Sequence, residues 1–197
     1  DHIYPLIKKD RYKRPIADSP FDYIRKYDTG LKSRLTIIHA VHVSDEEIDE
    51  INEKNIGVVL CPRSNQYLKV GIPPLAKLTE LKGLGLATDG LSSNDSLNYF
   101  DEMSVFHGLL SDLDNCDPSY QTVYSATLGG ARALFIEDTV GSIEKGKKAD
   151  LIFVSYDKKP VDPYQYIVSS GRDRLEINMV NGKLIYSGNN KFKHLNG

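Results

Sequence analysis

Three short apolar runs constrain this chain more than anything else in it. They are LTIIHAVHV after Arg34, IGVVLC from Ile56 to Cys61, and LGLA from Leu84 to Ala87, beginning 21 and 28 residues apart. Each is rich in β-branched or aliphatic residues and reads as a strand buried on both faces. The segments between them carry helical spacing, which is the period of βα units in a parallel sheet or barrel. Ser44 with Glu47 forms a capping box for a helix over Asp45–Lys54, whose Ile48 and Ile51 face the core. Pro73 and Pro74 suit a helix start, with Leu75, Leu78 and Leu81 on its buried side, while Pro62 stops the second strand.

The third run ends in Thr88-Asp89-Gly90 and then a polar loop, SSNDSLN. Leu97, Phe100, Met103, His107 and Leu110 follow at helical spacing. A carboxylate just past the C-terminal end of a buried strand stands where α/β barrels and open sheets build their active sites. Asp-Gly also opens tight turns and Asp caps helices, so Asp89 has a purely structural reading as well.

Beyond this helix a second one is expected from Tyr120 to Leu134, with Gly129-Gly130 allowing close packing against a neighbour. Chain character then changes. GSIEKGKKADLIFVSYD and RLEINMVNGKLIYSG are two strand-like runs, the second turning at Asn181-Gly182, a hairpin signal of the primed type. The expected division is a region of βα units over 1–140, a small β appendage over 141–190 and a tail over 191–197. The first 33 residues are charged and turn-rich, broken by Pro5, Pro15, Pro20 and Gly30, with room for one short helix over Phe21–Tyr27.

Charge excludes some classes of partner. The 197 residues carry 25 basic and 27 acidic side chains for a net charge of −2, so neither a nucleic-acid footprint nor an anionic-membrane surface is expected. Two distant cysteines, Cys61 and Cys116, form neither a zinc ribbon nor a disulfide framework, and a reduced cytoplasmic compartment fits them. Neither a basic nor an apolar signal-like stretch is read in the chain's first residues, so no secretory signal is expected within them. Its first residue is Asp1 rather than a methionine, which suggests a fragment or a processed piece.

Five histidines occur, at positions 2, 39, 42, 107 and 194. His39 lies in the first strand-like run, and His42 at or past its end. A histidine on an apolar strand is commonly a satisfied core residue, but His39 and Asp89 both fall near the C-terminal ends of parallel strands and can converge on one pocket. His107 follows the apolar stripe of its helix and reads as packing, while His2 and His194 read as solvated. Arg63, on the loop after Cys61-Pro62, could hold a carboxylate or hydroxyl-rich ligand, or form a surface ion pair. Cys61 reads as a packing residue rather than a reactive one. Ser92, Ser93, Asn94 and Asp95 have the composition of a cap and loop.

Taken together, IIHAVH at 37–42, CPRSN at 61–65, ATDGLSSNDSLN at 87–98 and ATLGGARALFIEDTVGSIEKGKKADLIFV at 126–154 resemble the amidohydrolase superfamily. The likeness is to its nucleoside and aminopurine deaminases and related triazine hydrolases. CPRSN and SSNDSLN look most like the aminofutalosine and methylthioadenosine/adenosylhomocysteine deaminase branch. The resemblance implies the C-terminal part of a TIM (β/α)8 barrel, about strands six to eight, with a small β-rich subdomain. It implies that Asp89, ending the eighth strand, is a metal ligand that assists proton transfer, and that His39, on the sixth, lies beside the reacting centre. Asp89 and His39 are thus the expected catalytic residues. Arg63, Ser64, Asn65, Ser93 and Asn94 fall on loops that would line the substrate pocket.

The implied cofactor is one divalent metal ion, Zn2+ by expectation, with Fe2+ or Mn2+ accepting the same donors. The implied reaction is hydrolytic deamination of an adenine-containing nucleoside or similar N-heterocycle. Triazine-type dechlorination or deamination, or a non-catalytic scaffold, stand as alternatives. The family's His-x-His pair on the first strand is absent from these residues, so the remaining half of the barrel is expected from another polypeptide segment. Without it the chain should neither hold the metal tightly nor turn over. A homo-oligomer is also among the expected partners.

Overall fold

The computed structural model describes residues 19–27 and 34–188. The chain divides into two compact units, 1–34 and 35–197. The proline-broken stretch before Ser19, Gly30, His2, His194 and the 191–197 tail lie outside the described residues. In the first unit, helix α1 (Pro20–Tyr27) is opened by Ser19, whose Oγ accepts from the Asp22 amide at 3.0 Å. The Arg25 guanidinium sits 4.8 Å from the centre of the Phe21 ring.

The second unit begins with β1 (Thr36–Ile38), α2 (Asp45–Glu53), β2 (Gly57–Leu60), α3 (Pro62–Leu68), α4 (Leu75–Leu78) and β3 (Leu84–Leu86). The three strands form one parallel sheet in sequential order, Thr36 opposite Gly57 and Val58 opposite Leu84. Every residue of β2 and β3 is buried, which explains their uninterrupted apolar character. The capping box at Ser44 and Glu47 is formed, and Ile48 and Ile51 are buried beneath it.

Two expectations are corrected here. β1 is far shorter than the run Leu35–Val43, because His39 (φ 71°) and Ala40 (φ 49°) adopt left-handed backbone that a strand cannot continue through. Pro62 ends β2 but does not open a loop. It occupies the first turn of α3, where its missing N–H is not needed.

Next come α5 (Tyr99–Leu110), capped by the Asn98 side chain on the Phe100 amide, α6 (Pro118–Ala126) and α7 (Leu128–Ala133). The expected single helix over Tyr120–Leu134 is thus broken at Thr127 (φ −129°, ψ −98°). The break tilts α7 onto the strands. A Cβ on Gly129 would lie 2.4 Å from the Leu84 carbonyl oxygen, and one on Gly57 only 2.0 Å from that of Ala133. Close packing at the glycine pair is therefore found, and Thr36 Oγ1 adds a 2.7 Å bond to the same Ala133 carbonyl.

A second sheet is built from β4 (Leu151–Val154), β5 (Leu175–Val180) and β6 (Lys183–Ser187), antiparallel in sequential order. Asn181 (φ 51°) and Gly182 (φ 76°) make the β5–β6 turn, in the primed geometry the Asn-Gly pair favours. Between β4 and β5 lies α8 (Pro163–Arg174), which periodicity did not reveal. It is set by Asp162, whose carboxylate accepts from the Tyr164 and Gln165 amides, and by Pro163 in its first turn. It packs on α5 and α6, and a Cβ on Gly171 would lie 2.3 Å from the Phe100 ring.

Among the described residues no helix is long and apolar enough to cross a membrane.

Candidate active site

The C-terminal ends of the three parallel strands bring the candidate residues together. His39 follows β1 directly, Ser64 and Asn65 stand in the first turns of α3 after β2, and Asp89 lies three residues past β3. Both His39 (φ 71°) and Asp89 (φ 60°) have left-handed backbone, a costly conformation for residues with a Cβ that clusters at functional sites. The His39 amide is still tied to the sheet by a 2.9 Å bond to the Val59 carbonyl.

Asp89 is the centre of the cluster. Its Oδ2 accepts hydrogen bonds from Ser64 Oγ and Ser93 Oγ, each at 2.7 Å, and its Oδ1 accepts from the Gly90 amide at 2.8 Å. These donors, Ser64 first, hold its carboxyl below the usual carboxylate range, so it is an anion at neutral pH. Asn65, 2% exposed, accepts from His39 Nδ1 through its Oδ1 at 2.9 Å. An amide oxygen can only accept, so the neutral ring carries its proton on Nδ1 and presents a lone pair at Nε2. That Nε2 faces Asp89 Oδ2 at 3.8 Å. Two acceptors at this separation suit a shared proton or a cation between them.

The structure separates two predicted residues from this cluster. Asn94 is 3% exposed, and its Nδ2 donates to the Thr88 carbonyl at 2.7 Å. Arg63 points its guanidinium at Asp101, 3.1 Å away, and at Asp95. Arg63, Ser64 and Asn65 lie on helix α3 rather than on a loop. His42 is exposed, while the half-buried His107 meets Ser119 Oγ through its Nε2 at 3.2 Å.

Cys61 is 1% exposed. Burial, with the nearby Asp89 and Glu102 carboxylates, pushes its thiol up to about 12, so it is inert as a nucleophile.

Sequence reasoning missed Glu102. It is fully buried on α5, and burial pushes its carboxyl up against the opposing pull of hydrogen bonds from Arg63 and Asn94. The available signal was its spacing: Glu102, Phe106 and Leu110 share one helix face, and a charge on an otherwise apolar face seldom lacks a partner.

The amidohydrolase family matches residues 8–185, and the chain belongs to that family. A 5-methylthioadenosine/S-adenosylhomocysteine deaminase from Thermodesulfovibrio yellowstonii is 35% identical over 196 residues, covering 93% of this chain and 43% of its own length. An adenosine deaminase from Xanthomonas campestris, solved with bound zinc, superposes at TM-score 0.64 with 34% identity over 75% of this chain and 36% of its own. Escherichia coli guanine deaminase superposes at TM-score 0.72 with 27% identity, over 89% and 43%. The chain thus spans less than half the length of these relatives, and its α/β unit corresponds to part of their barrel. Among the described residues no three His, Cys, Asp or Glu side chains converge to hold a metal ion.

Proposed function

We propose that this chain is the C-terminal part of a metal-dependent aminohydrolase that deaminates an adenine-containing nucleoside or a similar N-heterocycle. In this reading β1, β2 and β3 are barrel strands six, seven and eight, followed by a β-subdomain from about residue 141. The observation that carries it is the lone pair of His39 Nε2 facing the ionised Asp89 at 3.8 Å across the strand ends. Purine deaminases among the relatives support the substrate class.

The Asp89 carboxylate suits a zinc-like divalent ion and would supply one of the three or more protein donors that such a site needs. Asp89 is the ligand this chain contributes. The other ligands, and the rest of the barrel, come from a segment preceding strand six. When bound, the metal lowers the pKa of a water from about 15.7 toward 7.

The remaining chemistry falls to side chains of this chain. Asp89, kept anionic by Ser64 and Ser93, accepts a proton from the attacking water. His39, held in one tautomer by Asn65, stands at the reacting carbon, where its Nε2 takes the proton on from Asp89 Oδ2 and passes it to the departing amine. Water adds, ammonia leaves, and adenine becomes hypoxanthine. Of the five residues the resemblance assigns to the pocket, Ser93 meets the substrate from the partly exposed rim, the buried Ser64, Asn65 and Asn94 shape the pocket from beneath, and Arg63, whose guanidinium is engaged by Asp95 and Asp101, lines its edge.

The test is an ammonia-release assay over adenosine derivatives with metal analysis of the full-length enzyme. Stoichiometric divalent metal and turnover of an adenine nucleoside are expected, and Asp89→Ala should abolish turnover. Retention of most activity by that variant overturns the site. Stoichiometric zinc and deamination by residues 1–197 alone overturns the need for an upstream half.

A further inference from the structure

Glu102 takes no direct part in the cluster around Asp89, yet it touches both segments that build it. Its Oε1 accepts the Arg63 amide at 2.9 Å, and its Oε2 lies 3.4 Å from Asn94 Nδ2. Arg63 is in the first turn of α3, where a backbone N–H has no carbonyl of its own helix to meet. Ser64 and Asn65, immediately after it, hold Asp89 and His39 respectively. On the other arm, Asn94 grips the carbonyl of Thr88, the residue before Asp89. One fully buried side chain therefore meets the start of α3 and, through Asn94, the turn carrying Asp89 and Ser93.

We propose that Glu102 is the positioning residue of this site, setting His39 and Asp89 at their separation by bracing the β2–α3 junction and the loop after β3 against α5. The inference rests on the functional reading of Asp89 and His39 given above. A carboxyl does this where an apolar side chain cannot, because the Arg63 amide and the second N–H of the Asn94 amide, whose first meets the Thr88 carbonyl, both need an acceptor away from water. The sheet offers neither group one, since the backbone here has already left the strands. Supports of this kind behind active-site ligands typically change activity by 10- to 100-fold when removed.

The experiment uses the full-length enzyme with Glu102→Gln, Glu102→Leu, Ser64→Ala and the double variant Ser64→Ala/Glu102→Leu, alongside Asp89→Ala. Glu102→Leu should lower kcat about 100-fold with KM within about threefold. It should also speed amide hydrogen exchange in a peptide covering residues 61–66. Glu102→Gln, which keeps an acceptor for the Arg63 amide but sets a donor against Asn94, should recover roughly tenfold of that loss. The Ser64→Ala and Glu102→Leu losses should be strongly non-additive, because both act on the same hydroxyl. If Glu102→Leu does not fold, Glu102→Gln, which disturbs the second arm alone, should by itself lower kcat roughly tenfold with KM within about threefold. Loss of thermal stability with kcat unchanged, or additive losses, overturns the proposal. An active Asp89→Ala variant instead overturns the functional reading on which it rests.

Discussion

Asn65 and His39 are joined by a 2.9 Å hydrogen bond from the ring Nδ1 to the amide oxygen, so a residue on α3 decides which nitrogen of an imidazole after β1 faces Asp89. Replacing Asn65 with Leu removes that acceptor and frees the tautomer. In the full-length enzyme kcat should fall roughly 10- to 100-fold with a small change in KM, as when other histidine-orienting partners are removed. Steady-state kinetics with a purine nucleoside checks this.

Backbone contact between α7 and the sheet makes Gly57 intolerant of any side chain. An added Cβ would stand 2.0 Å from the Ala133 carbonyl oxygen, and neither backbone can yield without disturbing β1 or β3. Gly57→Ala should cost about 1–3 kcal/mol or more. Gly108→Ala is the contrast: nothing lies within 4 Å of a Cβ there, and it sits inside α5, so the change should be neutral or stabilise by up to ~1 kcal/mol. Denaturant unfolding of the two variants distinguishes them.

The two cysteines should differ in reactivity. Cys61 is buried and its thiol is pushed up to about 12, whereas Cys116 is half-buried, with a smaller upward push from burial and from Asp117. At pH 8 a thiol reagent should label Cys116 in the native protein and leave Cys61 unmodified until denaturant is added. Peptide mapping by mass spectrometry reads the outcome, and native labelling of Cys61 would contradict the packing around it.

Glu102 makes stability depend on pH in an unusual direction. Its carboxyl is raised in the folded state, so the native protein holds a proton that the unfolded chain, at its ordinary value near about 4.3, releases first. The associated stability is fully present below that value and is lost as pH rises through the folded pKa. Glu102→Gln cannot release that proton. Its stability relative to the wild type should therefore rise with pH across this window, as followed by denaturation midpoints from pH 4 to pH 8. A constant difference between the two proteins would contradict a raised Glu102.

Much of the fold was legible because local rules and burial agree. The apolar runs at 56–61 and 84–87, the Ser44–Glu47 box and the Asn181-Gly182 turn each encode their own conformation within a few residues. Legibility failed where a distant partner decides. His39 and Ala40 interrupt an apolar run that sequence pattern would continue to Val43, and α8 has no clean apolar stripe because it packs on α5, α6 and the second sheet at once.

The same division holds for the candidate site. By itself the sequence determined a run of βα units and the residue types at their C-terminal ends, His39 and Asp89 among them, since strand period and turn chemistry are local properties. Only the tertiary structure decided that Ser64 and Ser93 share one oxygen of Asp89, that Asn65 chooses the His39 tautomer, and that Glu102 lies behind both segments. Those bonds join residues 25, 26 and 39 positions apart, as well as near neighbours. Their geometry depends on how the parallel strands stagger and how α5 packs across their ends, which no single segment specifies.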